Sequence, residues 1–211
     1  ANVNDHVFEV LAQHGVADRV GLDRFYATDV QALAACYAAA HAEPEKIVDC
    51  PLSGAVPRVT DLSLHPDGSL RDAKRHHLAL CRHIAAIRFD GPLTFATIEL
   101  LERELDRRLA LRQEVRQVLI AGHTLERLDA VAAERLCELV TRLRRDGYEV
   151  VLSGLRDQVL EVMERSGCQA LLGAGRVFPT QAAALDAIHT PAHAGSDEDP
   201  CPLLKVVRRE K

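Results

Sequence analysis

Four side chains that can bind a soft metal ion lie close together in the first half of the chain: His76, His77, Cys81 and His83. His77 and Cys81 are four residues apart, so on a helix they would share one face, a geometry that zinc can use. A fourth ligand would have to come from elsewhere. No CxxC spacing typical of structural zinc occurs, and the surrounding basic residues are typical of a solvated segment. We therefore predict no metal site and no cofactor.

The sequence offers equally little support for a nucleophile or a phosphate-binding loop. Ser153 precedes a glycine, but the GxSxG pattern of a nucleophile elbow is missing. Gly167, Gly173 and Gly175 match neither GxGxxG nor a Walker loop, and helix ends or turns explain them. Carboxylate pairs four residues apart are interleaved with arginines, as on a solvated helix face. We therefore predict no catalytic residue.

A polar loop between an apolar segment and an amphipathic helix is the better candidate for a site. Val115–Ile120 predicts a strand, residues 122–127 predict a loop, and Asp129 stands where its carboxylate can accept hydrogen bonds from the first amides of a helix. Such a loop and helix start present backbone amides and side chains to a binding partner. The candidate partner-facing residues are Thr124, Leu128, Asp129, Ala130 and Val131.

Composition limits the class of protein. The chain has 211 residues, of which 47% are hydrophobic and 27% charged, and its formal net charge is −5. These proportions predict a folded globular protein, and the net negative charge argues against a nucleic-acid partner. The longest apolar run, Ala32–Ala40, is too short to span a membrane, which takes about 20 residues, so we expect a soluble chain. The six cysteines include no close pair, which predicts reduced thiols.

From residue 83 onward the sequence alternates between strand and helix patterns. Apolar segments at His83–Phe89, Val115–Ile120 and Glu149–Leu152 predict strands, and the amphipathic segments between them predict helices. Strands separated by single helices indicate a parallel or mixed sheet covered by helices. Residues 43–82 are interrupted by proline and glycine and are expected to form a connector or an extended lead-in, and residues 191–211 a flexible tail.

The chain also contains an internal repeat. Residues 5–36 align without a gap to residues 157–188 at a constant offset of 152, with 11 of 32 positions identical. Two of the identical positions are glycines, which indicates shared backbone geometry. The similarity continues in the Ala-His-Ala sequences at 40–42 and 192–194 and, after a shift of one residue, in Cys-Pro-Leu at 50–52 and 201–203. We expect the first copy to be ordered.

Four short sequences together resemble a known domain family. They are RFDGPLTFA at Arg88–Ala96, LDA at Leu128–Ala130, VLSGL at Val151–Leu155 and ERSG at Glu164–Gly167. In this order and spacing they resemble a STAS domain, and most closely the cytoplasmic STAS domain of a bacterial SulP-type anion permease. The resemblance covers residues 83–190, and the flanking segments are more weakly similar.

The resemblance implies an α/β fold in which a mixed β-sheet is covered by α-helices. Residues 1–42 would be an N-terminal helical partial repeat, similar to the last third of a second such domain. The implied function is regulation and protein interaction in a sulfate or related anion transporter, with no catalysis. The implied partners are the membrane transport domain of the same parent chain, a regulatory protein or a second copy of the chain. The implied location is the cytoplasmic face of the inner membrane, with this chain a piece of a longer protein.

The same family includes antagonists of anti-sigma factors, which are switched by phosphorylation of a Ser or Thr directly after the Asp at the helix start. A phosphate there adds nearly two negative charges where a partner docks. In this sequence Ala130 follows Asp129 and has no hydroxyl, which argues against this branch, while Thr124 in the same loop stays open. A small α/β enzyme or nucleotide-binding protein using the same loop is a third alternative, and the sequence has no acid–base or phosphate motif for it.

Overall fold

The computed structural model describes residues 5–40, 57–173, 175–198 and 200–204. The chain divides into two compact units, Ala1–Pro57 and Arg58–Lys211. Within the described ranges, no helix is both long enough and apolar enough to cross a membrane.

The first unit is helical. Its elements are α1 (Asp5–Gln13), α2 (Val16–Val20), a short 3₁₀ helix (Leu22–Arg24) and α3 (Asp29–Ala40). Gly15 separates α1 from α2 and has a φ of 66°, a left-handed conformation that glycine adopts without steric cost. The rings of Phe8 and Phe25 pack edge to face with their centroids 5.0 Å apart, which ties α1 to the segment after the 3₁₀ helix.

The second unit is a six-stranded mixed sheet with helices on both faces. Its strands are β1 (Arg58–Leu64), β2 (Leu70–Asp72), β3 (Ile84–Asp90), β4 (Gln117–Ala121), β5 (Glu149–Ser153) and β6 (Val177–Phe178). Its helices are α4 (Ile98–Leu111), α5 (Ala130–Arg145), α6 (Asp157–Arg165), α7 (Cys168–Leu172) and α8 (Gln181–Ala192). The strand order is β2-β1-β3-β4-β5-β6, in which β1 is antiparallel to its two neighbours and the other pairs are parallel. The predicted α/β fold is confirmed.

The central strands are buried on both faces, which explains why they read as continuous apolar segments in the sequence. In β3, Ala85, Ile87 and Phe89 belong to the core shared with α4, α5, α6 and α7. Ile84 and Ala86, on the other face, belong to a second core shared with α8 and the C-terminal segment. Side chains of successive residues thus alternate between two cores instead of between a core and solvent.

Within the segment expected to be a connector or an extended lead-in, residues 58–72 form the β1–β2 hairpin, which adds two extended strands to one side of the sheet. The proline and glycine that suggested a connector lie in the hairpin turn. There Asp67 accepts hydrogen bonds from the amide and the hydroxyl of Ser69, at 2.9 and 2.6 Å, and Gly68 has a φ of 86°. Residues 43–56 lie outside the described residues.

The expected flexible tail is wrong as far as residue 204. Helix α8 continues to Ala192, and Ala192, Cys201 and Leu203 are all buried in the second core. Polar residues dominate the composition of this segment, which is why the sequence indicated mobility. Its few apolar residues nevertheless pack on a face of the sheet. Residues 205–211 lie outside the described residues.

Two of the cysteines lie closer together than their spacing in the sequence suggests. Cys137 in α5 and Cys168, the first residue of α7, lie side by side with their Cα atoms 5.4 Å apart, a spacing at which the two thiols can form a disulfide. They are 31 positions apart in sequence, and only the packing of α7 on α5 brings them together. Among the described residues Cys36, Cys81 and Cys201 are free thiols.

The repeat detected in the sequence is also a repeat of structure. At the offset of 152 residues, the bounds of α1, α2 and α3 match those of α6, α7 and α8 residue for residue. The glycines that separate these helices match too, because Gly15 and Gly167 have φ angles of 66° and 73° and Gly21 and Gly173 have φ angles of 91° and 89°. The identification of residues 1–42 as the last third of a STAS-like domain stays a proposal, which this correspondence supports.

One buried arginine ties the hairpin to the rest of the second unit. Arg108 in α4 is 7% exposed, and its Nε lies 3.0 Å from both carboxylate oxygens of Asp61 in β1. Its other nitrogens donate to the backbone carbonyl of Val59 at 2.9 Å and to the Glu104 carboxylate at 2.6 Å. A charge this buried is tolerated only because its donors are satisfied by acceptors of opposite or partial negative charge.

We expect Arg108→Ala to lower the free energy of unfolding by about 3 kcal/mol, because it leaves Asp61 without its buried partner. Arg107→Ala is the matched control, since Arg107 contacts the same Glu104 from an exposed position and its loss should cost less than about 1 kcal/mol. Urea denaturation of the two variants measures both values. Equal losses would show that Arg108 is not the link between β1 and α4.

Candidate functional site

The loops that follow β3 and β4 lie at the same end of the sheet, because the two strands run parallel and their carboxyl ends are side by side. The two loops are joined by backbone hydrogen bonds. The Leu93 amide donates to the Arg127 carbonyl at 2.9 Å, and the Asp129 amide donates to the Leu93 carbonyl at 3.2 Å. The start of α5 is therefore held against the loop after β3 and does not depend on its own loop alone.

Asp129 completes this junction with its side chain. One carboxylate oxygen accepts from the Ala132 amide at 2.7 Å, which caps α5 as the sequence predicted. The other oxygen accepts from the Phe95 amide at 2.9 Å. A single carboxylate therefore fixes both the beginning of α5 and the tip of the loop after β3.

Besides Asp129, four residues were predicted to face a partner, and they differ in exposure. Leu128 is 4% exposed and packs in the first core beneath the loop, so its side chain does not face a partner. The Thr124 hydroxyl donates to the Phe89 carbonyl at 2.8 Å and is half-buried. Ala130 and Val131 are exposed, the latter at 52%.

Phe95 is the residue of this surface that the sequence analysis missed. It is 65% exposed, which is unusual for a large apolar side chain, and its amide is bound to Asp129. In the sequence Phe95 lies within RFDGPLTFA, and a phenylalanine in such a segment is expected to be buried in the core. We call the exposed residues around Asp129 the α5 N-terminal surface, which consists of Phe95, Glu126, Arg127, Ala130 and Val131.

A charged cluster lies beside this surface at the end of β3. Asp90 accepts hydrogen bonds from Arg88 at 2.6 Å, from Arg58 at 3.1 Å and from the Thr60 hydroxyl at 3.0 Å. Burial by itself raises the pKa of the Asp90 carboxyl, but the hydrogen bonds and charge of Arg88, with the bonds from Arg58 and Thr60, outweigh it and lower the pKa below its ordinary value. The cluster ties the ends of β1 and β3 together.

The side chains that the sequence analysis considered for chemistry are not arranged for it. Ser153 is completely buried at the end of β5 and cannot reach a substrate in solution. His76 packs against the ring of His65, with centroids 5.1 Å apart, and His83 is buried with its Nδ1 bonded to the Glu114 carbonyl at 3.1 Å. Cys81 is turned toward the C-terminal segment and away from the histidines close to it in sequence. The prediction of a partner-facing surface at the start of α5 stays a prediction.

We expect Asp129→Ala to lower the free energy of unfolding by about 1–2 kcal/mol and to speed amide hydrogen exchange at both Phe95 and Ala132, because both amides lose their acceptor. Thr180→Ala is the matched control, since the Thr180 hydroxyl caps α8 by accepting from Ala183 at 3.1 Å. It should affect only the exchange of Ala183. Unchanged exchange at Phe95 in Asp129→Ala would contradict the junction.

The lowered pKa of Asp90 predicts a pH dependence of stability. A carboxyl whose native pKa lies below its unfolded value of about 3.9 stabilises the fold above that pH, and its contribution is lost as the pH falls through the native pKa. The stability advantage of the natural protein over Asp90→Asn should therefore be full at neutral pH and shrink below about pH 4. Urea titrations at several pH values measure it, with the exposed Asp186→Asn as control. A pH-independent difference would refute the assignment.

Comparisons with known proteins agree with this architecture. The STAS domain family matches residues 80–184, about half of the chain. A structure of the murine Solute Carrier 26 family member A9 anion transporter in the inward-facing state aligns with 90% of this chain and 32% of its own, at a TM-score of 0.57 and 14% identity. A second SLC26A9 structure aligns with 65% of this chain and 24% of its own, at a TM-score of 0.53 and 18% identity.

The SulP transporter STAS domain from Vibrio cholerae aligns with 54% of this chain and 86% of its own, at a TM-score of 0.44 and 22% identity. A sequence comparison with curated proteins gives no match. This chain therefore spans about a quarter to a third of the length of the SLC26A9 chains to which it is similar. The family match, on the sheet and helices described above, establishes that residues 80–184 are a STAS domain and that the chain belongs to the STAS family.

Proposed function

We propose that this chain is the regulatory and protein-interaction portion of a sulfate or related anion transporter and performs no catalysis itself. The STAS family match supports the regulatory role, and the likeness of the fold to parts of anion transporter chains several times longer supports the transporter. The remainder of such a parent chain would contain the membrane transport domain. In this proposal the chain lies at the cytoplasmic face of the inner membrane.

The observation that carries the interaction role is the α5 N-terminal surface. Phe95 and Val131 expose apolar side chains at positions whose backbones are fixed by the Asp129 junction. An apolar pair on a rigid backbone loses little conformational entropy when it docks, so its burial contributes most of its hydrophobic free energy to binding. The flanking Glu126 and Arg127 would form the polar rim of the contact.

The occupant that we favour for this surface is the membrane transport domain of the same parent chain. A linked partner is present at a high effective concentration, so a contact centred on two apolar side chains is sufficient to hold it. A separate regulatory protein or a second copy of this chain would have to find the same small surface from solution. Those two partners are the other outcomes of the test below.

The anti-sigma antagonist alternative fits the geometry less well. Ala130 has no hydroxyl to phosphorylate. Thr124 has one, but it is half-buried and donates to the Phe89 carbonyl, so a phosphate there would break an internal hydrogen bond and require room beneath the loop. We therefore do not carry this alternative further.

We expect the double substitution Phe95→Ser with Val131→Ser to weaken docking of this chain on the rest of the parent transporter by at least about tenfold, because buried anchor residues of an interface contribute about 1–2 kcal/mol each. The measurement is the affinity of the purified chain for the remaining parent protein in lipid nanodiscs, together with sulfate uptake by the intact parent protein in vesicles. Uptake should change several-fold in the double variant.

Leu111→Ser is the matched control. Leu111 is more exposed than Phe95, at 73%. It is the last residue of α4 and lies towards the amino ends of the parallel strands, away from the loops after β3 and β4. It should leave both affinity and uptake unchanged. Equal effects of the two changes, or none in the double variant, would reject the α5 N-terminal surface as the docking site. Binding only to a second copy of the chain or to a separate protein would reject the transport domain as its occupant.

A further inference from the structure

Four potential metal ligands converge where the C-terminal segment meets the start of β3. They are Cys81, His193, Glu198 and Cys201, and their ligand atoms all lie within 4.8 Å of one another. The Cys81 sulfur lies 3.4 Å from the His193 Nε2 and 3.2 Å from a carboxylate oxygen of Glu198. The same two atoms of His193 and Glu198 are 3.1 Å apart. Cys81 is more than 100 positions away in the sequence from His193 and Glu198.

These spacings are close to those of a tetrahedral zinc site. Zinc binds cysteine sulfur at about 2.3 Å and histidine nitrogen or carboxylate oxygen at about 2.0–2.2 Å. In a tetrahedron with those bond lengths, neighbouring ligand atoms are about 3.3–3.8 Å apart. The three separations among Cys81, His193 and Glu198 agree with this range within a few tenths of an ångström. The Cys201 sulfur lies within 4.8 Å of the other three ligand atoms, so it would close the fourth position when an ion binds.

Each ligand is oriented by a hydrogen bond outside the cluster. The His193 Nδ1 lies 2.8 Å from the His189 carbonyl, which only accepts, so Nδ1 carries a proton and Nε2 faces the cluster, where it can bind a metal ion in place of its own proton. The Cys81 sulfur accepts from the Ile84 amide, and the Cys201 sulfur from the Leu203 amide, both at 3.3 Å. The second oxygen of Glu198 accepts from the Arg82 amide at 2.9 Å. Metal ligands in proteins are held by bonds of this kind.

Burial and charge favour a cation at this position. Cys81 and Cys201 are buried, and the side chains of His193 and Glu198 are only 11% and 10% exposed. The Glu198 carboxylate faces the His193 ring at 3.1 Å, and a metal ion between them would balance the charge of the carboxylate and of two thiolates in this buried position. The guanidinium of Arg112 reaches only the carbonyls of Cys81 and Ile84, so it does not occupy the centre of the cluster.

The internal repeat contributes an independent observation. In the sequence of its first copy, His41 stands at the position of His193, and Cys50, followed by Pro and Leu, matches Cys201 after a shift of one residue. Both copies therefore have a histidine followed at nearly the same distance by Cys-Pro-Leu. A covering segment that needed only apolar contacts would have no reason to keep these two ligand types at matching places.

We propose that Cys81, His193, Glu198 and Cys201 bind one zinc ion, which fastens the C-terminal segment to the start of β3. Two thiolates with one imidazole and one carboxylate suit zinc, a borderline-soft ion that prefers four ligands. All four positions are filled by the protein, so the ion is structural and activates no water. Neither the transporter role proposed above nor the α5 N-terminal surface requires this site.

The first test is the metal content of the purified chain by plasma mass spectrometry, without chelator during purification. We expect about one zinc per chain in the natural protein and in Cys36→Ala, which removes an exposed thiol outside the site. We expect less than a tenth of that in the double substitution Cys81→Ala with Cys201→Ala. Retention of zinc in the double variant, or a chain with no zinc, would overturn the proposal.

The second test does not depend on the double variant folding. After removal of zinc, Co²⁺ should give the intense absorption of a tetrahedral thiolate site, and Cys201→Ser should halve the sulfur charge-transfer band. Glu198→Gln, which preserves the side-chain volume, should weaken zinc binding at least about tenfold while the melting temperature with excess zinc stays near that of the natural protein. Octahedral cobalt spectra, or a Cys81–Cys201 disulfide found by peptide mass spectrometry, would refute the site.

Discussion

The structure depends on one constraint, which is that the central parallel strands have no face that tolerates water. Strands β3, β4 and β5 contribute apolar side chains to both cores, so each face of the sheet has to be covered. Four helices, α4 to α7, cover one face. The other face has a single twelve-residue helix, α8, and the segment that includes Cys201 and Leu203 completes the second core.

This imbalance explains features that otherwise look unrelated. The β1–β2 hairpin is joined to α4 through the buried Arg108, whose guanidinium contacts Asp61 in β1. The C-terminal segment covers the second core without regular secondary structure, so backbone hydrogen bonds contribute little to holding it there. A cluster of metal ligands at this place supplies what the backbone does not.

The loops at the carboxyl ends of the parallel strands are exposed to solvent. Binding surfaces form where such loops are held rigidly. The amides, carbonyls and carboxylate at the Asp129 junction satisfy one another, which leaves apolar side chains as the groups available to a partner. A surface of this kind recognises shape and apolar area.

The sequence by itself determined the elements whose signals are local. The strands at β3, β4 and β5, the cap at Asp129 and the repeated helix pair could all be predicted, because hydrophobic period, capping residues and glycine positions act within a few residues. The family resemblance followed from the same segments and was confirmed. What the sequence left open was set by partners far along the chain. Residues 58–72 became strands because β3 offered an open edge, and Phe95 was left exposed because Asp129 held its backbone outward.

The cysteines illustrate the same division most sharply. Their spacing in the sequence suggested no bridge and no metal, and it placed Cys81 among neighbouring histidines that the fold directs elsewhere. Only tertiary packing brings Cys168 to Cys137 and the C-terminal Cys201 to Cys81. Local sequence thus determined which segments fold and how each begins and ends. The tertiary structure decided which cysteines came together, because distant segments of the chain had to pack on the two faces of one sheet.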